Sequence, residues 1–284
     1  RLGDSQVNRY QVGVIVSSNS GPCSGLVATA PVPVDWPEQS VKVIDEETSP
    51  FVQRFAYRMV DTVRQMLVQI PQLPAGQQAK ALVTIEIERH TLEPPSDTSV
   101  YLLPERMPLD IRKYLGDSPY IESRHVKIRS IAKELTQNKA NAWETVEAIY
   151  DYVRENVKYQ EGPLKGALKA LQDGTGDCEE LTSLFIALCR AANIPARTVW
   201  VPGHCYPEFY LVDKDNNGYW FPCQAAGTRE FGGISETRPI LQKGDDFRVP
   251  ERPRDRQRYV AEFLTGRGGQ PSVKFVRELM NGNE

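Results

Sequence analysis

Cys178 and His204 are the pair of side chains in this sequence best placed for nucleophilic chemistry. Cys178 follows the loop Asp173-Gly174-Thr175-Gly176-Asp177 and opens a helix predicted to run to about Ala192, with Leu181, Leu184, Phe185 and Leu188 on one face. Asp177 suits the N-cap, and Glu180 suits the reciprocal position three residues later. A thiol in that first turn sits in the positive end of the helix dipole, which favours thiolate over thiol. The unpaired amides there can donate to an oxyanion, which acyl transfer requires. The glycines before the helix let the chain pass closely. A base must then reach the sulfur. His90 and His125 precede the helix, whereas His204 follows Gly203 and opens a strand soon after it. A helix–strand–strand return can bring that strand end over the helix start, so Cys178 and His204 can meet as thiolate and imidazolium. Gln224 ends the next strand. If it pairs across the hairpin with His204, both side chains share one face and the amide can orient the ring. The same pairing would set Cys205 opposite Cys223 on the other face, either as two buried thiols or as a cross-strand disulfide in an oxidising compartment.

Each residue also has a plainer reading. A free cysteine is usually a small buried hydrophobe, and Cys189 on the helix reads as core. A strand histidine is commonly a satisfied structural residue, and a glutamine at a strand end a surface polar group. Asp213-x-Asp215-x-Asn217-Gly218 opens like a calcium loop, but the twelfth position is Gln224, not an acid, and no helices flank it. It reads as a hairpin turn. No C-x-x-C pair offers the usual zinc spacing, although Cys178, His204 and a third ligand are a possible thiol–imidazole set. Tyr159 reads as a core residue at a helix end.

The elements that would hold this site lie in the second half. Ile128, Ile131, Ala132 and Leu135 have helical spacing. Asn141 with Glu144 starts a second helix, whose inner stripe is Trp143, Val146, Ile149, Tyr150, Val153 and Val157. Leu164, Ala167, Leu168 and Leu171 make a short amphipathic piece. After the Cys178 helix, Asn193 can take the left-handed stop and Pro195 forbids continuation. Strands are expected at Ala196–Val201, His204–Val212 and Tyr219–Gln224, the last two joined by the Asp213–Gly218 loop. The first third instead has period-two patterns at Tyr10–Val16 and Ala81–Ile87. Between them lie β-rich runs at Val41–Ile44, Arg54–Val60 and Val63–Ile70, with a helical alternative for Val52–Met66. These features predict an α+β protein: an antiparallel β-sandwich over 1–95, a Pro-rich connector over 96–122, and the helix-and-sheet unit over 123–284. The tail after Gln224 reads as an extension that carries no chemistry.

Composition narrows the function classes. The 284 residues are 40% hydrophobic and 25% charged, with a formal charge of −3. Nucleic acid and anionic membranes are therefore not indicated as partners. No apolar run approaches the ~20 residues that span a bilayer. Five scattered cysteines, an odd number, are not a disulfide framework.

Several spaced segments occur in an order that resembles the transglutaminase-like superfamily. They are Gly176-Asp177-Cys178; Leu188-Cys189-Arg190-Ala191-Ala192-Asn193-Ile194-Pro195-Ala196-Arg197; His204 with Glu208 four residues on; and Tyr219-Trp220-Phe221-Pro222. The resemblance runs from about Val126 to Gln224. It implies a papain-like α+β core with a Cys–His–Asp triad serving amide chemistry: peptide hydrolysis, deamidation or transamidation on a protein or peptide substrate. No metal or organic cofactor is implied. Cys178 and His204 match the family's nucleophile and base, and a β-domain ahead of the core is similar to exported bacterial members, which points to an extracytoplasmic, periplasmic or secreted, location. Three positions depart from the pattern: Gln224 stands at the Asp position, Tyr206 at a Trp and Asn193 at a Gly. Glutamine can orient an imidazole but cannot stabilise imidazolium as a carboxylate does, because charge-assisted bonds are roughly twice as strong. This leaves three expectations: a slower thiol enzyme, a non-catalytic relative that binds a protein or peptide in the same cleft, or a purely structural module of a larger envelope assembly. Oligomeric state is not legible.

Overall fold

A computed structural model describes residues 1–280. The alternating N-terminal segments form six antiparallel strands: β1 (Leu2–Ser17), β2 (Cys23–Val32), β3 (Gln39–Thr48), β4 (Arg54–Val60), β5 (Val63–Leu73) and β6 (Gln78–Leu92). Tyr10, Val12, Val14 and Val16 of β1 and Ala79, Ala81, Val83, Ile85 and Ile87 of β6 face inward. They meet Leu26, Ala28, Ala30 and Val32 of β2 and Met66, Val68 and Ile70 of β5 in one core. This is the expected β-sandwich. The helical alternative for Val52–Met66 is replaced by β4 and β5. Strand β2 has no counterpart among the strands read from sequence. Two of its inward positions are alanines, which are weak strand formers, so its alternation is faint.

Residues 93–108 carry no helix and make a single bridge, Leu102 to Val212. A one-turn helix, α1 (Leu109–Arg112), and a 3₁₀ turn (Lys113–Leu115) follow. The second unit then builds α2 (Val126–Thr136), α3 (Ala142–Asn156), β7 (Lys158–Tyr159), α4 (Ala167–Asp173), β8 (Thr175–Gly176) and α5 (Cys178–Ala191). Asn141 caps α3 by accepting from the Glu144 amide at 2.9 Å, as the spacing predicts. Its stripe Trp143, Val146, Ile149, Tyr150 and Val153 packs with Ile128 and Ala132 of α2 around the buried body of α5. Behind α5 lies an antiparallel sheet ordered β11-β10-β9-β12, from β9 (Ala196–Val201), β10 (His204–Val212), β11 (Gly218–Pro222) and β12 (Gln242–Lys243). Phe209, Leu211 and Phe221 close this core from the sheet side.

The tail departs from expectation. After a two-stranded ladder of β13 (Phe247–Arg248) and β14 (Arg256–Gln257), the chain returns to the N-terminal unit. There β15 (Phe263–Gly268) pairs with β2, and β16 (Ser272–Met280) pairs with β1. Its last strands therefore complete the two sandwich sheets, β16-β1-β6-β3 and β15-β2-β5-β4, rather than extend the second unit. The physical reason is edge satisfaction: β1 and β2 would otherwise present unpaired amides along long strands.

Candidate active site

The start of α5 is fixed before any chemistry is considered. The parallel bridge between β7 and β8 holds the approaching chain, with the Gln160 amide donating to the Gly176 carbonyl at 2.8 Å. Gly176 has no room for a side chain, since a Cβ there would lie 2.5 Å from the Glu180 side chain. Asp177 then caps the helix: its carboxylate accepts from the Glu179 amide at 2.7 Å, and Glu180 reaches back to the Asp177 amide at 3.1 Å. Cys178 occupies the first turn, half-buried and partly open to solvent.

The base arrives on β10. Val201-Pro202-Gly203-His204 is a tight turn, with Gly203 at φ +69°. Proline before a left-handed glycine is the arrangement a type II turn selects. The ring Nε2–H of His204 donates to the Gln224 side-chain oxygen at 2.8 Å. Gln224 is itself held: its carbonyl accepts from Tyr150 Oη at 2.8 Å and Arg154 Nη1 at 3.0 Å, and its amide donates to Glu230 at 2.9 Å. All three residues picked from sequence are thus brought to one place. The expected register was off by two, however. Glu208 pairs with Pro222, so Cys223 lies opposite Pro207, and its amide bonds that carbonyl at 3.0 Å. Gln224 therefore meets His204 diagonally, a reach a glutamine side chain spans.

This register removes the disulfide expectation. Cys205 and Cys223 are not cross-strand partners, and all five cysteines are free. Cys189 is buried core, as expected. The other histidines lie elsewhere. His125 caps α2 by accepting from the Lys127 amide, and His90 sits on β6 against the Gly3 carbonyl. Tyr159 is not core. It is 56% exposed, and the Cys178 charge contributes, after burial, to raising its phenol pKa. The Asp213 carboxylate is consumed by its own loop, accepting from the amides of Asp215 and Asn217 at 2.9 Å each.

The electrostatics centre on the sulfur. The Cys178 pKa is drawn down to about 4 by the Cys205 thiol first, then by the His204 ring and the Cys205 amide, against the opposing effect of burial. Burial lowers the His204 pKa, but its bonds to Cys178 and Gln224 outweigh burial and leave it raised. The two shifts have the signs of a thiolate–imidazolium pair. Glu179, beside the nucleophile, is pushed up to about 7, chiefly by burial, while its contact with Arg258 at 2.6 Å opposes the rise. Arg238, clamped by Glu236 and bonded to the Pro202 carbonyl at 2.9 Å, lies on the His204 side. Arg258, Glu236 and Arg238 all come from the tail, where sequence patterning carries no sign of them. Among the described residues no cluster of metal-ligating side chains is present. A concavity of about 690 Å³, lined by Leu103, Arg129, Lys133 and Asn193, lies at the far end of α5. A helix of that length puts it about 20 Å from Cys178, so its size does not make it the site of this chemistry.

Residues 129–225, about a third of the chain, match the family model of the transglutaminase-like superfamily. An uncharacterized protein of Bacillus subtilis, YebA, is 29% identical over 140 residues, 44% of this chain and 19% of YebA. The match thus spans about a fifth of the relative's length. The crystal structure of a candidate cysteine protease from Cytophaga hutchinsonii aligns with 100% of this chain and 94% of its own, at a TM-score of 0.65 and 18% identity, a likeness of fold. The periplasmic domain of TgpA from Pseudomonas aeruginosa aligns over 74% of this chain and 88% of its own at 14% identity, with a TM-score of 0.34.

Proposed function

We propose that this chain, built on a transglutaminase-like core, is a thiol enzyme acting on amide bonds of a protein or peptide. The observation that carries the reading is a half-buried thiol in the first turn of α5, with its pKa near 4, beside a histidine whose far nitrogen is anchored by Gln224. In the mechanism that follows, the Cys178 sulfur attacks the substrate carbonyl carbon. The developing oxyanion is met by the Cys178 amide, which the Asp177 cap leaves open. His204 passes its proton to the departing amine, leaving a thioester on Cys178. Water or a second amine, deprotonated by His204, then releases the acyl group and restores the thiolate–imidazolium pair. Hydrolysis, deamidation and transamidation differ only in which amine leaves and what accepts. No step calls for a cofactor.

A second reading has its own support. Gln224 is neutral, and an imidazolium held by a neutral acceptor is weaker than one held by a carboxylate. In that reading the cleft binds a peptide without turning it over. Both readings keep the expectation of an extracytoplasmic setting, and no helix among the described residues is long and apolar enough to cross a membrane.

The test is alkylation by iodoacetamide across pH, read at each cysteine by mass spectrometry, for the parent and His204→Ala. The enzyme reading expects Cys178 to react well below the free-thiol range of about 8.5 and to lose that advantage without His204. On the acid side reactivity should fall as pH drops through about 4, where the thiolate takes up its proton. If Cys178 reacts no faster than the buried thiols in both proteins, the binding reading replaces it.

A further inference from the structure

The four other thiols of the chain are buried, and one of them lies against the nucleophile. On β10, alternation sends His204, Tyr206 and Glu208 to one face and Cys205, Phe209 and Leu211 to the other. Phe209 and Leu211 belong to the core around α5, so Cys205 points toward the helix side. Its backbone is pinned there twice. It pairs with Trp200 across β9, and its carbonyl accepts from Thr182 Oγ1 at 3.5 Å. Thr182 is one helical turn after Cys178, on the same face of α5. The start of β10 is thereby laid over the first turn of α5, with the Cys205 side chain on the strand face turned toward the helix. Cys205 is 2% exposed.

The electrostatic setting calls for such a group. Asp177 precedes Cys178 in the chain, and a carboxylate there opposes a thiolate beside it. The imidazolium that would offset it is oriented by a neutral amide. We propose that Cys205 is a positioning residue for the Cys178 thiolate, its S–H donating to the sulfur and supplying stabilisation that the Gln224-held histidine alone does not. The donor keeps its proton in this arrangement. The Cys205 thiol is pushed well above its ordinary range, first by the bond to Cys178 and then by burial. The inference rests on the thiol-enzyme reading of the site and assigns a role to a residue outside the family's triad pattern.

The test compares Cys205→Ala, Cys205→Ser and Cys205→Val with the parent, following the pH midpoint of Cys178 alkylation by iodoacetamide. Thermal unfolding monitors the fold, and the valine variant supplies the measurement if the smaller alanine leaves the protein unfolded. Removal of the donor is expected to raise the Cys178 midpoint by about one unit or more, as loss of a hydrogen bond to a charged group does. Serine, whose hydroxyl also donates, is expected to keep the midpoint within about half a unit of the parent. A parental midpoint in the alanine or valine variant overturns the proposal. So does a serine variant that shifts as far as alanine, since that marks packing rather than donation. If the parent's Cys178 is itself no more reactive than the other thiols, the underlying enzyme reading fails instead, and the two failures are told apart in one experiment.

Discussion

Two opposite-charge assemblies share α5 and the sheet behind it, and they are built differently. At the helix start, Cys178 and His204 meet half-buried, with a neutral amide behind the ring and acids alongside the thiol. At the helix end, Arg190 is 1% exposed and forks onto Asp245, 2% exposed, at 2.8 and 2.9 Å. Its remaining donors reach the carbonyls of Ala196 and Gly116 and the Ser118 hydroxyl. Across the sheet, Arg197 and Lys243 both bond Glu208, and Lys243 continues to Glu38 of the sandwich unit at 2.6 Å. The Arg197 guanidinium stacks 4.0 Å from the Trp220 ring. Burial is common to both assemblies, but completeness is not. In the second, charges are matched in geometry and number, and nothing is left to react. In the first, the sulfur faces partners that stabilise it without covering it. The two arginines of the Arg190–Arg197 segment, which carried part of the family resemblance, thus serve the scaffold, while Cys178 and His204 are the pair proposed to react.

The sharpest way to break this contrast is to leave Arg190 unpaired. Asp245→Ala strands a buried guanidinium, and loss of one partner of a buried pair costs about 3–5 kcal/mol. A urea unfolding series should show that loss. The same series on Cys178→Ala should move by about 1 kcal/mol or less, as expected for a half-buried group outside a locked network. A loss at Asp245 near that smaller figure would mean the second assembly is no more committed to the fold than the first.

What could be read from the sequence follows the same division. Local signals were clear where one helix or one turn carries the information. The Asp177–Glu180 cap, the Asn141 cap and the left-handed Asn193 (φ +63°) all stand where spacing placed them. Partners separated by long stretches of chain leave no local trace. Asp245 and Lys243 sit in a tail whose patterning is weak, yet they hold Arg190 and Glu208. Strand β16 pairs with β1 from the opposite end of the chain. Cys205 was visible only as a neighbour of His204, and a register error of two residues directed it to Cys223. Glu208, which carried part of the resemblance, is committed to Arg197 and Lys243.

A smaller change would sharpen the contrast by moving the reactive end toward the locked one. Gln224→Glu keeps the length of the side chain and replaces a neutral acceptor with a charged one. The bond to His204 Nε2–H becomes charge-assisted, which roughly doubles its strength. The sign follows from which form is favoured. A carboxylate stabilises imidazolium, so the His204 pKa rises further and the alkaline limb of any pH–rate profile moves up by about one unit. The same negative charge disfavours the nearby thiolate, so the Cys178 midpoint moves up from about 4 as well. Titration of the His204 ring by NMR, alongside Cys178 alkylation, reads both limbs. If His204 stays at its parental value, Gln224 orients the ring without tuning its charge.

The smallest effect tests whether the two ends of α5 can be separated. Asn193 ends the helix at φ +63°, its amide donating to the Arg190 carbonyl at 3.0 Å. Glycine adopts that backbone without the Cβ penalty, which favours Asn193→Gly in the folded state. Glycine also gains freedom in the unfolded chain, which works against it. Asparagine already tolerates the left-handed region better than most residues, so the two terms nearly cancel, and the net change should be about 0.5 kcal/mol or less. Asn193→Ala has the penalty without the tolerance and should lose about 1 kcal/mol. Neither variant should alter Cys178 alkylation, because the helix start is capped by Asp177 and Glu180 independently of how the helix ends. A change in the Cys178 midpoint in either variant would show that strain at the scaffold end reaches the thiol, and the two assemblies would then have to be treated as one.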